Sequence, residues 1–337
     1  WEITAITSWR LIGFFREKLH VAKADKAFLV TVFGAVTMLL GFVSIYQQTG
    51  TFDLQPGAIS NLAVALILVG ILSKSATLPF HTWLPDAGVA PSPVTALLHA
   101  AILVKIGVYV FARLFLATYT LEAFWHTVVP VIAAASALVS AGAALVETDL
   151  KRIIAYSTIS QIGFIFFGLA VGNTMAVAGA MLYILMHGLA KAGLFLCAGI
   201  IEQNTKTKDI TKMGGLFAAM PVTAVVFLFC AFSVMGIPPF GGFFSKYMVM
   251  AGAITGGQLK ISFVFLAGAV LTILYLFRAF NRIFMGEEQI AGVKEGSAVM
   301  LFSVSLLALF SLLGGILIYY PSAWAQAITA HMIGIIK

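Results

Sequence analysis

Charge is scarce in this 337-residue chain: Asp, Glu, Lys and Arg make up 10% of it, against roughly 25% in soluble domains, while hydrophobic residues reach 61%. That balance excludes a water-soluble protein. Cysteine is nearly missing. Cys197 and Cys230 sit singly in apolar runs without CxxC spacing or neighbouring histidines, which argues against a disulfide framework or a zinc site and leaves both as core residues. No GxGxxG, Walker loop, HExxH or GxSxG occurs, so nucleotide binding and hydrolysis have no local support and no cofactor or metal site is implied. The first residues, WEITAITSWR, show no initiator methionine, no charged leader and no cleavage site, and Trp1 is read as lying inside a helix whose start precedes it.

What is abundant is apolar sequence in windows near the ~20 residues that a helix needs to cross a membrane. An incomplete first helix to Phe15 is followed by spans near 28–47, 58–78, 92–115, 121–146, 151–171, 174–201, 215–236 continued as 240–254, 261–281 and 298–320. The expected fold class is an all-α polytopic membrane protein with about ten crossings. Placing Arg16 to Lys26 in the cytoplasm and alternating from there puts Lys151, Arg152, Lys206, Lys208, Lys212, Arg278, Arg282 and Lys294 on the same side. Arg113, Lys260 and Lys337 fall on the other, as the positive-inside rule requires. The net charge of +7 therefore reports topology and lipid contact and gives no support for nucleic acid.

Five basic residues remain inside the spans: Arg10, Lys74, Lys105, Lys191 and Lys246. A charge at a helix centre costs about 2.5–3.5 kcal/mol on insertion scales, so each needs a partner, water or a neutral state. Arg10 lies close enough to the inner boundary to snorkel. Lys74 is different, because Pro79 follows it in GILSKSATLPFHTWLP; Lys246 likewise accompanies Pro238 and Pro239 in GIPPFGGFFSK. Proline removes a backbone donor, and freed polar backbone at membrane depth is tolerated only where protein or water satisfies it. Lysine and helix break thus occur together twice, in corresponding places of two halves, which is a pointer to an ion path. The expected organisation is a first inverted repeat over 1–120, a second over 121–283, and a C-terminal span with a short tail over 284–337.

Further titratable groups lie between the breaks. His99 and Lys105 share one span, about 120° apart on a regular helix, and His187 and Lys191 share another at i, i+4. Histidine titrates close to neutral pH, and a desolvated lysine can exchange its proton under physiological conditions, so the set forms a candidate line of proton carriers. Glu2 is the candidate counter-charge for Lys74. His81, His126 and His331 read as helix-to-helix hydrogen-bonding or interfacial residues, and Asp149, Lys151 and Arg152 as a cytoplasmic helix start.

The runs KSATLPFHTWLPDAGVAPSPVTALLHAAILVKIGVYVFARL, DLKRIIAYSTISQIGF, MHGLAKAGLFLCAG and GIPPFGGFFSK resemble the antiporter-like subunits shared by respiratory complex I, membrane-bound nickel–iron hydrogenases and Mrp-type cation/proton antiporters. The resemblance implies two inverted five-helix repeats, each with a discontinuous helix, around a hydrophilic axis at the membrane midplane. It makes Glu2 and Lys74 an ion pair, His99 and Lys105 the next station, His187 and Lys191 the bridge between half-channels, and Lys246 the terminal site. It also implies partners: other antiporter-like and small membrane subunits, and a cytoplasmic redox arm with iron–sulfur or hydrogenase subunits. The function expected first is proton translocation within a redox-driven complex of the energy-coupling membrane, the chain itself transferring no electrons. The alternative is membership of a Mrp-type antiporter exchanging protons for sodium, and Glu2, as the one clearly embedded carboxylate, makes a sodium site harder to build.

Overall fold

The computed structural model describes residues 1–334. Among these, seven helices are long and apolar enough to cross a membrane: α2 (Lys18–Thr49), the composite helix 92–115, α7 (Trp125–Val146), α8 (Leu150–Val171), α9 (Thr174–Thr205), α12 (Leu259–Phe284) and α13 (Ala298–Ile316). A short α1 (Glu2–Ile12) precedes them. Two crossings are interrupted, α3 (Asn61–Lys74) with the single turn α4 (Trp83–Asp86), and α10 (Pro221–Met235) with α11 (Gly241–Thr255). The described residues therefore match the ten expected crossings. The chain is a multi-pass integral membrane protein, and its outer faces expose apolar residues such as Leu29, Phe33, Phe263, Val270 and Phe302.

Local chemistry sets the helix ends. Ser60, Asp149 and Asn173 accept the N–H groups of Ala63, Arg152 and Ala176 at the starts of α3, α8 and α9. Pro221 opens α10, where its missing donor costs nothing. Gly50 and Gly172 close α2 and α8 with positive φ. A two-residue ladder pairs β1 (Gly57–Ala58) with β2 (Tyr119–Thr120) in parallel. α8 is the most buried helix, enclosed among α7, α9, α11 and α12.

The structure changes three expectations. The helix expected over 58–78 stops at Lys74, four residues short of its expected end, and Ser75–Phe80 lie outside regular helix. The span 92–115 is not one regular helix: α5 (Ser92–Ala96) passes through a π turn at Leu97–Ala101 into α6 (Leu103–Phe115). The residues after 318 form α14 (Tyr319–Gly334), which packs on α9. α13 ends against the second break, where Gly315 approaches the backbone of Pro239 and Gly241 so closely that a Cβ would collide.

Candidate functional site

At the first break the last turn of α3 is left with free carbonyls. The Trp83 indole donates to the Ser73 carbonyl at 3.0 Å, and Ser136 Oγ of α7 accepts the Leu78 N–H at 3.1 Å, so much of the freed backbone is paired by protein. Lys74 is fully buried; its Nζ donates to the Trp1 carbonyl at 3.3 Å and lies 5.2 Å from the centre of the Trp1 ring. The expected ion pair with Glu2 does not form within 4 Å. Glu2 is exposed on α1, and Trp1 occupies the place beside Lys74.

At the second break the lysine does the pairing itself. Gly236 caps α10 at φ 83°, a conformation that favours glycine, and Lys246 Nζ donates to the freed Val234 carbonyl at 2.7 Å. The ammonium lies over the rings of Phe164 and Tyr183, 4.7 and 5.6 Å from their centres.

Between the breaks, α9 is the common member. Lys105 Nζ donates to the Ile184 carbonyl at 2.7 Å, in space left by Gly188, whose added Cβ would stand 2.8 Å from that nitrogen. Lys191 Nζ donates to the Ile154 carbonyl of α8 at 3.2 Å. The His99 ring packs on Phe195, and the His187 ring on Tyr183. Both histidines are fully buried, and none of their four ring nitrogens has a hydrogen-bond partner. The 120° separation expected for His99 and Lys105 assumed a regular helix; across the π turn both side chains reach α9. From Tyr183 to Phe195 the axis follows α9 for ~18 Å at 1.5 Å per residue.

Four buried lysines therefore rest on main-chain carbonyls, and none makes an ion pair with a carboxylate among the described residues. Burying a charge without a paired carboxylate is costly, which sets these lysines apart from the paired basic residues elsewhere in the chain. No cluster of three or more His, Cys, Asp or Glu side chains among the described residues would hold a metal ion.

Sequence reasoning missed two parts of the site. A buried polar network joins α8, α9 and α12: the Tyr183 hydroxyl donates to Gln161 at 2.7 Å, Gln161 donates to Thr272 at 3.2 Å, and the Tyr275 hydroxyl donates to Ser157 at 2.6 Å. Its signal was the polar run YSTISQ inside an apolar span. The second part lies at the helix ends that the positive-inside rule assigns to the cytoplasm. Lys151, read as a topology marker, is 3% exposed and pairs with Glu202 at 2.7 Å. Its neighbour Arg152 behaves as expected, bridging Asp86 and Glu147 at 2.9 and 2.8 Å, while Lys26 also binds Asp86. Partial burial pushes the Glu147 carboxyl up, but the Arg152 guanidinium and the Asp149 and Thr148 N–H groups outweigh it and hold the group below the usual carboxylate range. Arg10 is exposed beside Trp9, consistent with snorkelling.

Comparison with known proteins places the chain in a family. A sodium/proton antiporter subunit of Alkalihalophilus pseudofirmus is 36% identical over 97% of this chain and 45% of its own length. The corresponding Bacillus subtilis protein is 36% identical over 86% of this chain and 40% of its own. The chain thus spans less than half the length of these curated relatives. Among solved structures, a Mrp complex from a Dietzia species aligns with TM-score 0.87 at 24% identity, over 95% of this chain and 71% of that one. An archaeal membrane-bound sulfane sulfur reductase aligns with TM-score 0.90 at 23% identity, over 99% of this chain and 70% of that one. Those identities speak for the fold alone. The family model described as NADH:quinone oxidoreductase/Mrp antiporter, transmembrane, matches residues 1–272, and the chain belongs to that family.

Proposed function

We propose that this chain is an ion-translocating component of a Mrp-type cation/proton antiporter assembly, and that protons move through it along Lys74, Lys105 with His99, His187 with Lys191, and Lys246. The observation that carries the reading is the row of four buried lysines bonded to carbonyls and to no carboxylate within 4 Å among the described residues, beside two histidines with unpartnered nitrogens. A lysine fixed by a salt bridge would be locked in its charged form; a lysine on a carbonyl loses less when it gives up its proton. The helix breaks supply the carbonyls at Lys246 and a gap in the backbone at Lys74.

The relatives favour exchange over redox drive. Sequence alone placed a redox-driven complex first; relatives at 36% identity are named as antiporter subunits, and likeness to the sulfane sulfur reductase extends to fold. A cytoplasmic redox arm therefore drops out of the leading reading, and other membrane subunits remain as partners. The two broken helices are read as the equivalent crossings of two inverted repeats.

The test is proton flux in inverted vesicles holding the assembled complex, followed with a pH-sensitive dye while sodium or potassium is added without any electron donor. Cation-dependent proton movement is the expected result. Flux that appears only with an electron donor would return the redox-driven reading to first place.

A further inference from the structure

One charged cavity on the cytoplasmic side lies outside the lysine row. It holds about 450 Å³ and is lined by Glu17 and His20 at the start of α2, Ala90 and Ser92 ahead of and within α5, and Lys151, Glu202 and Lys208 from α8, α9 and the loop after it. At its mouth His20 Nε2 stands 3.7 Å from Glu17, and His20 Nδ1 is buried without a partner. Deeper in, Glu202 is shared between two ammonium groups: one oxygen is 2.7 Å from Lys151 and the other 3.2 Å from Lys208. The Lys151 side chain is 4% exposed, while those of Glu202 and Lys208 are 30% and 31% exposed, so the carboxylate bridges the wet and dry ends of the cavity. Lys151 also donates to the Ala90 carbonyl at 3.3 Å.

The wall includes the helix that carries the axis. Leu196 and Gly199 of α9 form part of the wall, and Phe195, next to Leu196, packs on the ring of His99 at 4.7 Å. Ser92 belongs to the same composite helix as His99, and Gly199 lets it approach α9 so closely that a Cβ on the glycine would meet Ser92 Cβ at 2.5 Å.

We propose that this cavity is the cytoplasmic proton portal of the chain, with the Glu202–Lys151 pair as its gate; the proposal rests on the reading that the chain transfers protons. Glu202 takes a proton from cytoplasmic water and releases Lys151. Lys151 passes a proton toward an unpartnered nitrogen of His99 and recovers one from Glu202, so only O–H and N–H bonds form and break. A lysine at the neck repels a metal cation but relays a proton, and the wall offers no carboxylate besides Glu17 and Glu202. The ion admitted here is the proton.

The experiment uses the full assembly in inverted vesicles carrying Ser92→Cys, treated from the cytoplasmic side with a membrane-impermeant, positively charged thiol reagent. Both native cysteines are buried and out of its reach. Labelling is expected to slow proton flux about tenfold, equivalent to ~1.4 kcal/mol, while labelling Lys212→Cys, on the exposed cytoplasmic surface, leaves it unchanged. Gln203→Cys lines the same cavity and serves if the first variant fails to assemble. A fully labelled Ser92→Cys or Gln203→Cys protein that keeps its flux, or a thiol that no cytoplasmic reagent reaches, overturns the portal alone. No flux in untreated wild-type vesicles overturns proton transfer and the portal with it. In addition, Lys151→Gln is expected to slow flux to a similar degree with the assembly intact, and unchanged flux in that variant overturns the gate.

Discussion

The two helix breaks place the same residue type beside the same kind of discontinuity and stabilise it by different means. At the first, the Trp83 indole and Ser136 hydroxyl pair the freed backbone, and Lys74 turns to a carbonyl and ring of Trp1. At the second, Lys246 supplies the missing donor to Val234 and is walled by Phe164 and Tyr183. Lys74 is thus a guest at a break that is closed without it, whereas Lys246 is part of the closure. Removing the lysine should cost function at both breaks and structure mainly at the second.

The largest separation is expected from alanine. Lys246→Ala orphans the Val234 carbonyl, which costs about 1–3 kcal/mol of stability, and it abolishes flux. Lys74→Ala abolishes flux with a smaller fall in thermal stability, so melting of the purified assembly ranks the two. Gly188→Ala comes next: its methyl displaces the Lys105 ammonium from the Ile184 carbonyl, and flux should fall about tenfold, or ~1.4 kcal/mol, as measured in vesicles. Trp83→Phe removes the bond to Ser73, lowering stability by about 1 kcal/mol in denaturant titrations. The smallest effect is expected for Glu2→Gln, because Glu2 is exposed and makes no ion pair with Lys74: flux should remain within about threefold of wild type, under ~0.7 kcal/mol. A collapse of flux in that variant would show that the pair forms during turnover.

The sequence made the spans legible because apolar length and the placement of basic residues are imposed directly by the bilayer. It also exposed Lys74 and Lys246, since a charge next to a proline inside an apolar run contradicts its surroundings. What stayed hidden depends on which helices touch. Lys151 sits in a motif that marks a cytoplasmic helix start, and only the approach of α9 brings Glu202 to it and turns a topology signal into a buried pair. The Gln161, Tyr183 and Thr272 network needs three helices, and the polar run YSTISQ announces only its α8 side. The π turn at His99 leaves no mark in an apolar, proline-free stretch, so the angular relation of His99 to Lys105 could not be read from regular helix geometry.

Under the proposed function, the lysines along α9 act by exchanging protons and not by holding helices together. The most direct test is Lys191→Gln, measured as cation-driven proton flux in vesicles beside the yield of assembled complex. The glutamine amide can still donate toward the Ile154 carbonyl, so the helix contact has a donor, but the amide does not titrate. Normal assembly with flux reduced to the leak of empty vesicles is the expected result. Normal assembly with wild-type flux would contradict the proposed function.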